Sequence, residues 1–166
     1  IKCNPAIKCE SDRRSLVRAI KSGAVTTVGT DHAPHEWAVK CGSYLNCASG
    51  VPSIQFALPA LLELWRRGEL TLEEVIKVSS SNVAARFNIA QRGQLSEGYF
   101  ADIALVNAAQ PYTVQAADIV SKCGFSPFSG HTFPVRVVHT IVSGSLVVQD
   151  GKLTGLKGGQ ALRFLR

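Results

Sequence analysis

Apolar positions recur along this chain in two rhythms, and the change between them divides it. From Ser11 to Ser22, Leu16, Val17 and Ile20 fall at helical spacing, Ser11 or Asp12 can cap the start, and Gly23 can end the run. Ala24 to Gly29 follows with β-branched Val25, Thr26, Thr27 and Val28, the pattern of a buried strand, and leads directly into a polar cluster at Asp31. His35 to Pro52 is rich in Gly, Ser, Asn and Cys and has no period, which predicts a long functional loop.

Helical spacing returns from Ser53 to Arg67 through Ile54, Phe56, Leu58, Leu61, Leu62 and Trp65, with Pro59 as a kink and Gly68 as the stop. Thr71-Leu72-Glu73-Glu74 has the form of a capping box opening a helix whose Leu72, Val75 and Ile76 face inward. A short helix from Val83 to Phe87 is expected behind an Asn82 cap. After about Gly93 the helical period stops. Ile103 to Val106, Val135 to Val142 and Leu146 to Gln149 read as strands, with turns at Ser143-Gly144 and Asp150-Gly151. Two domains are therefore expected, residues 1–93 and 94–166.

Composition changes this picture little. The 166 residues are 46% hydrophobic and 18% charged, an ordinary globular balance with enough chain to bury a core. No apolar run approaches the roughly 20 residues that span a bilayer, and the opening Ile1-Lys2-Cys3-Asn4-Pro5 lacks the layout of a secretory signal. The expectation is a cytoplasmic protein without membrane contact. The chain begins with Ile1 inside an apparent strand and contains no Met, so it reads as a piece of a longer protein. A net charge of +6 comes from eighteen scattered Lys and Arg with no basic run interleaved with aromatics, which argues against nucleic acid. Cys3, Cys9, Cys41, Cys47 and Cys123 are odd in number and show no paired C-x-x-C spacing, so reduced thiols are expected rather than a disulfide or a structural zinc site.

One cluster carries chemistry. Asp31, His32 and His35 stand together at the end of the β-branched run, and a carboxylate beside imidazoles suits either zinc or proton transfer. A polar turn explains the same letters. A catalytic zinc takes at least three protein ligands, more than this window supplies. His131 and His139 lie in the β-rich part without ligand-type residues at ligand spacing and are read as surface or core residues, as Trp37 and Trp65 are read as packing.

Gly29-Thr30-Asp31-His32-Ala33-Pro34-His35, preceded by Lys2-Cys3-Asn4-Pro5 and followed by Ser49-Gly50-Val51-Pro52, resembles the C-terminal part of dihydroorotases of the amidohydrolase superfamily. The likeness continues through Arg92-Gly93, Glu97-Gly98-Tyr99, Ala101-Asp102-Ile103 and the stretch Lys122 to Gly130. Allantoinases and hydantoinases share the T-D-H-A-P-H stretch.

The resemblance implies an α/β fold in which this chain supplies the C-terminal part of a (β/α)8 TIM-type barrel and then part of a small β-sandwich domain. It implies a zinc-dependent cyclic amidohydrolase that interconverts dihydroorotate and N-carbamoyl-aspartate in pyrimidine biosynthesis. Asp31 then corresponds to the catalytic Asp from the last barrel strand, which binds zinc, takes a proton from the attacking hydroxide and passes it to the amide nitrogen. Asn4 and His35 correspond to residues that hold the substrate, and Ser49 and Gly50 to a loop whose backbone touches the ring. His32 is left to orient the strand end. The remaining ligands for one or two zinc ions belong to an N-terminal part of the same protein, so this stretch alone is expected to be inactive. The family also allows a homodimer, and an allantoinase, a hydantoinase or a non-catalytic dihydroorotase-like scaffold subunit are the rival readings. The chain departs from the usual family letters at Ser53, where a Gly is common, at Lys8, where an Arg is common, and at Cys3 and Cys9.

Overall fold

A computed structural model describes residues 2–165. The strand read at Ile1 lies outside the described residues. The first helix, α1 (Glu10–Lys21), begins one residue earlier than the apolar spacing indicates. Its N-cap is Cys9, not Ser11 or Asp12; the Cys9 backbone N–H donates to the Asp12 carboxylate at 3.2 Å, satisfying an otherwise unpaired donor. Val17 and Ile20 pack inward, while Leu16 is 46% exposed. Arg13 ties the helix to Glu69 at 2.5 Å, and Gly23 stops it at φ 76°.

Residues 24–29 form no β-ladder among the described residues, contrary to the strand expected there: Ala24 and Val25 make a bend and 26–29 are irregular. Val25 and Thr27 are half-buried, whereas Thr26 and Val28 are exposed. The side chains therefore alternate as in a strand, but pairing also needs a neighbouring backbone about 5 Å away. Here the helical run supplies isolated contacts: Val28 N–H donates to Val78 O at 2.9 Å, and Asn82 Nδ2 donates to Thr26 O at 2.9 Å. Asn82 is thus no helix cap.

The expected loop 35–52 contains a short helix, α2 (Trp37–Lys40), and a single parallel bridge from His32 to Val51. Beyond it, a 3-10 turn (Ile54–Phe56) leads into α3 (Ala57–Arg66). Pro59 sits in the first turn of α3, where its missing N–H costs nothing, so it does not kink the helix. Thr71 and Glu74 form the capping box of α4 (Leu72–Ile76), with Glu74 N–H donating to Thr71 Oγ1 at 3.1 Å and Thr71 N–H to Glu74 Oε2 at 2.7 Å. Only Val75 of that helix is fully buried; Leu72 and Ile76 are 41% and 50% exposed. A π-helical turn (Lys77–Ser81) joins α4 to α5 (Asn82–Arg86) without a break.

All laddered strands follow Gly93. β1 (Ile103–Asn107), β4 (Arg136–Val142), β5 (Ser145–Gln149) and β6 (Lys152–Leu153) form an antiparallel sheet in the order β1-β4-β5-β6, and β2 (Tyr112–Thr113) pairs with β3 (Thr132–Phe133). Both central residues of the two tight turns have positive φ, Ser143 48° and Gly144 85°, Asp150 52° and Gly151 77°. That is the type I′ geometry whose twist matches the flanking strands.

Two apolar clusters join helices to strands. Leu62, Leu70 and Val75 close on Val135, while Phe56 closes on Val114 and Phe133. Each such large buried side chain stabilises the fold by about 1.5–3 kcal/mol. Arg92 adds a polar tie: it pairs with Asp102, donates to Ser143 Oγ at 3.1 Å and stacks on Phe100, while Ser143 N–H donates to Asp102 at 2.7 Å. No helix among the described residues is long and apolar enough to cross a membrane.

Candidate functional site

The irregular stretch 26–30 ends at Asp31, whose φ of 43° is unusual for a residue with a side chain. That left-handed step turns the chain so that Ala33 N–H donates to Val51 O at 3.0 Å, beside the His32–Val51 bridge. Asp31 itself is exposed.

His32 explains how this turn is held. Its Nδ1 accepts the backbone N–H groups of Ser53, at 3.0 Å, and Ile54, at 3.2 Å, which leaves the ring proton on Nε2. Ser53 Oγ donates to Thr30 O at 2.7 Å, so the residue standing where a Gly is common makes a second strut to the same turn. Gln55 extends this bracing by donating to Asp118 O at 2.5 Å and accepting from Val120 N–H at 3.1 Å. The ring of Phe125 meets Trp37 edge to face at 5.2 Å. His32, Gln55, Val120 and Phe125 line a shallow cleft between the two parts of the chain.

Gly50 is buried, with φ 128°, and a Cβ built on it would lie 2.6 Å from Ala33 Cβ and 3.2 Å from His35 Cδ2. Only a glycine lets this loop lie so close to the histidine. Gly50 N–H donates to Lys2 O at 3.0 Å, which draws in the segment carrying Asn4. The Ser49 hydroxyl is buried without a hydrogen-bond partner among the described residues. Two lysines hold the loop from the other side: Lys40 Nζ donates to Lys2 O, Ala48 O and Gly50 O, and Lys2 Nζ donates to Leu45 O and Cys47 O. The structure thus brings His35, Ser49 and Gly50 together and ties the backbone beside Asn4 to them; Asp31 lies on the same turn two residues before Ala33.

A metal needs more than this wall. Among the described residues no group of three or more His, Cys, Asp or Glu is close enough to hold an ion. The five cysteines are free thiols. Asp31 offers a single carboxylate, an oxygen donor of a chemistry suited to zinc but fewer ligands than a zinc site takes.

Lys40, His32 and Ser53 were not singled out as site residues from sequence, because side-chain bonds to distant backbone leave no letter pattern. His131 is likewise paired across the fold, 2.9 Å from Glu63 of α3, and His139 lies 3.8 Å from Asp150. Trp65 packs against the Leu62 cluster, whereas Trp37 is 62% exposed beyond its Phe125 contact.

A family model described as the amidohydrolase family matches residues 3–147. The chain is 35% identical over 162 residues to a dihydroorotase of Halobacterium salinarum, covering 96% of this chain and 37% of that protein. It is 32% identical over 151 residues to an allantoinase of Bacillus velezensis, covering 90% of this chain and 33% of that protein. Among solved structures, an L-hydantoinase (dihydropyrimidinase) from Arthrobacter aurescens superposes with a TM-score of 0.90 at 26% identity, over 97% of this chain and 37% of that one. The chain spans about a third of the length of the curated relatives it matches.

Proposed function

The chain belongs to the amidohydrolase family, and from that premise we propose that it is part of a dihydroorotase, a hydrolase that opens the cyclic amide of dihydroorotate reversibly to N-carbamoyl-aspartate in pyrimidine biosynthesis. The observation that carries this reading is the close seat of Gly50 against His35, which makes one continuous wall from the residues assigned to the substrate. The similarity to a dihydroorotase over 96% of the chain supports the same substrate class. In this reading residues 1–93 belong to the C-terminal segment of a (β/α)8 barrel and residues 94–166 to the small β domain. The remainder of the protein covers the exposed Val28, Leu72 and Ile76.

Asp31 would hold zinc as one of its ligands. Zinc, when bound, lowers the pKa of water to about 7 and so supplies hydroxide near neutrality. The Asp31 carboxylate then moves a proton from the nucleophile to the departing amide nitrogen. Asp31 is exposed, at a turn marked by its φ of 43°. Asn4 and His35 bind and orient the substrate, and the Ser49-Gly50 backbone borders its ring. The wider protein is taken to be cytoplasmic.

A hydantoinase- or allantoinase-type activity is the second reading, favoured by the structural likeness to the L-hydantoinase. The test is turnover by the full-length protein of dihydroorotate, allantoin and hydantoin side by side, with zinc content measured. Dihydroorotate is expected to be the preferred substrate. Asp31→Ala should lower kcat by on the order of 10²–10⁴, the range for a positioned proton-transfer group. Near-normal activity in that variant would remove Asp31 from the mechanism, and turnover of hydantoin alone would select the second reading. A protein with neither zinc nor turnover would be a scaffold subunit.

A further inference from the structure

The ammonium of Lys40 has three protons, and three backbone carbonyls converge on it. Nζ lies 2.6 Å from Ala48 O, 2.8 Å from Gly50 O and 3.2 Å from Lys2 O. These carbonyls come from two stretches of chain, 8 to 10 residues after Lys40 and 38 before it. Lys40 makes no ion pair among the described residues. Its side chain is half-buried, so its charge is satisfied chiefly by the peptide oxygens of this loop.

We propose that Lys40 is a positioning residue that locks the Ser49-Gly50 loop to the Asn4 segment and so sets the shape of the substrate wall. The proposal rests on the substrate-wall reading above. Gly50 is held twice, by its N–H to Lys2 O at 3.0 Å and by its carbonyl to Lys40. With both ends of that residue fixed, the peptide between Ser49 and Gly50 keeps one orientation, and Gly50 keeps its contact with His35. Lys2 assists from the outside by donating to Leu45 O at 3.2 Å and Cys47 O at 3.0 Å. A compact ammonium suits this task. A planar guanidinium presents its donors in a fixed fork and cannot meet three carbonyls converging on one point.

The test compares full-length wild-type protein with Lys40→Met, Lys40→Gln and Lys40→Arg. Amide hydrogen exchange at Gly50 reads the lock without any reference to activity, with Val148 in the distant sheet as the internal control. Gly50 exchange should rise on the order of tenfold or more in Lys40→Met and Lys40→Arg, with Val148 unchanged. For whichever cyclic amide the wild type opens, KM should rise on the order of ten- to a hundredfold while kcat changes far less, because the loop binds the ring and does not move protons. Unchanged Gly50 exchange in Lys40→Met overturns the proposal, as does a lowered kcat with unchanged KM. If Lys40→Met does not fold, Lys40→Gln decides by the same two readings. A wild type that opens none of the cyclic amides defeats the functional reading alone, and the exchange measurement still decides the role of Lys40.

Discussion

A Cβ placed on Gly50 would sit 3.3 Å from Nε2 of His35, so the loop and the histidine can hold their present arrangement only while position 50 has no side chain. The same Cβ would overlap Ala33, 2.6 Å away, and the φ of 128° disfavours any L side chain. Gly50→Ala is therefore expected to displace His35 and cost about 1–3 kcal/mol through overpacking. In the full-length enzyme this should appear as a raised KM with zinc content unchanged. Wild-type kinetics in Gly50→Ala would show that the His35 contact does not shape the substrate wall.

Arg92 joins the end of the helical part to the β4–β5 turn through Asp102 and Ser143, with its side chain only 11% exposed. Arg92→Met removes the guanidinium and leaves Asp102 with the Ser143 N–H alone. The expected loss is about 1–2 kcal/mol, as for removing the charge-assisted hydrogen bonds of a partly exposed ion pair. Urea unfolding of the full-length protein reads it directly. Asp102→Asn in the Arg92→Met background should cost much less than it does alone, because the two groups act as a unit. Strict additivity would refute the coupling.

Tyr112 supplies a pH signature at the alkaline end. Burial, assisted by the nearby Asp118 carboxylate, pushes its phenol up to about 12, with Arg136 pulling weakly the other way. An unfolded chain has a tyrosine near 10. The folded state thus holds the proton more tightly, so this contribution to stability is whole below pH about 10 and is lost as pH rises towards 12. The ultraviolet phenolate band should show one late-titrating tyrosine that Tyr112→Phe removes. An unfolding free energy with the same slope over that window in wild type and Tyr112→Phe would contradict this origin.

The helices and hairpins were legible because their determinants are local. The Thr71-Glu74 capping box and the Ser143-Gly144 and Asp150-Gly151 turns act over two to four residues, and their letters report the backbone directly. The stretch 24–29 was harder to read for the opposite reason. Its β-branched letters predict a strand, and side-chain burial alternates from Val25 to Val28, but laddering depends on a partner backbone that no residue within the stretch can encode. Leu72 and Ile76 show the same division, since their spacing marks an apolar face without saying what covers it.

The candidate site divides along the same line. The sequence by itself determined which residues are the candidates for the chemistry: Asp31 with His35 after a β-branched run, Asn4 before a proline and Ser49-Gly50 beyond the loop form the ordered set on which the proposed assignment rests. Only the tertiary structure decided how those residues are held. His32 receives two N–H groups from the start of the next helical turn, Ser53 braces Thr30, and Lys40 gathers carbonyls from positions 2, 48 and 50. Every peptide carries the same carbonyl and, apart from proline, the same N–H, so a side chain that bonds to backbone has no partner letter to match. Which carbonyls meet Lys40 is settled when the chain folds and brings them within reach of one ammonium.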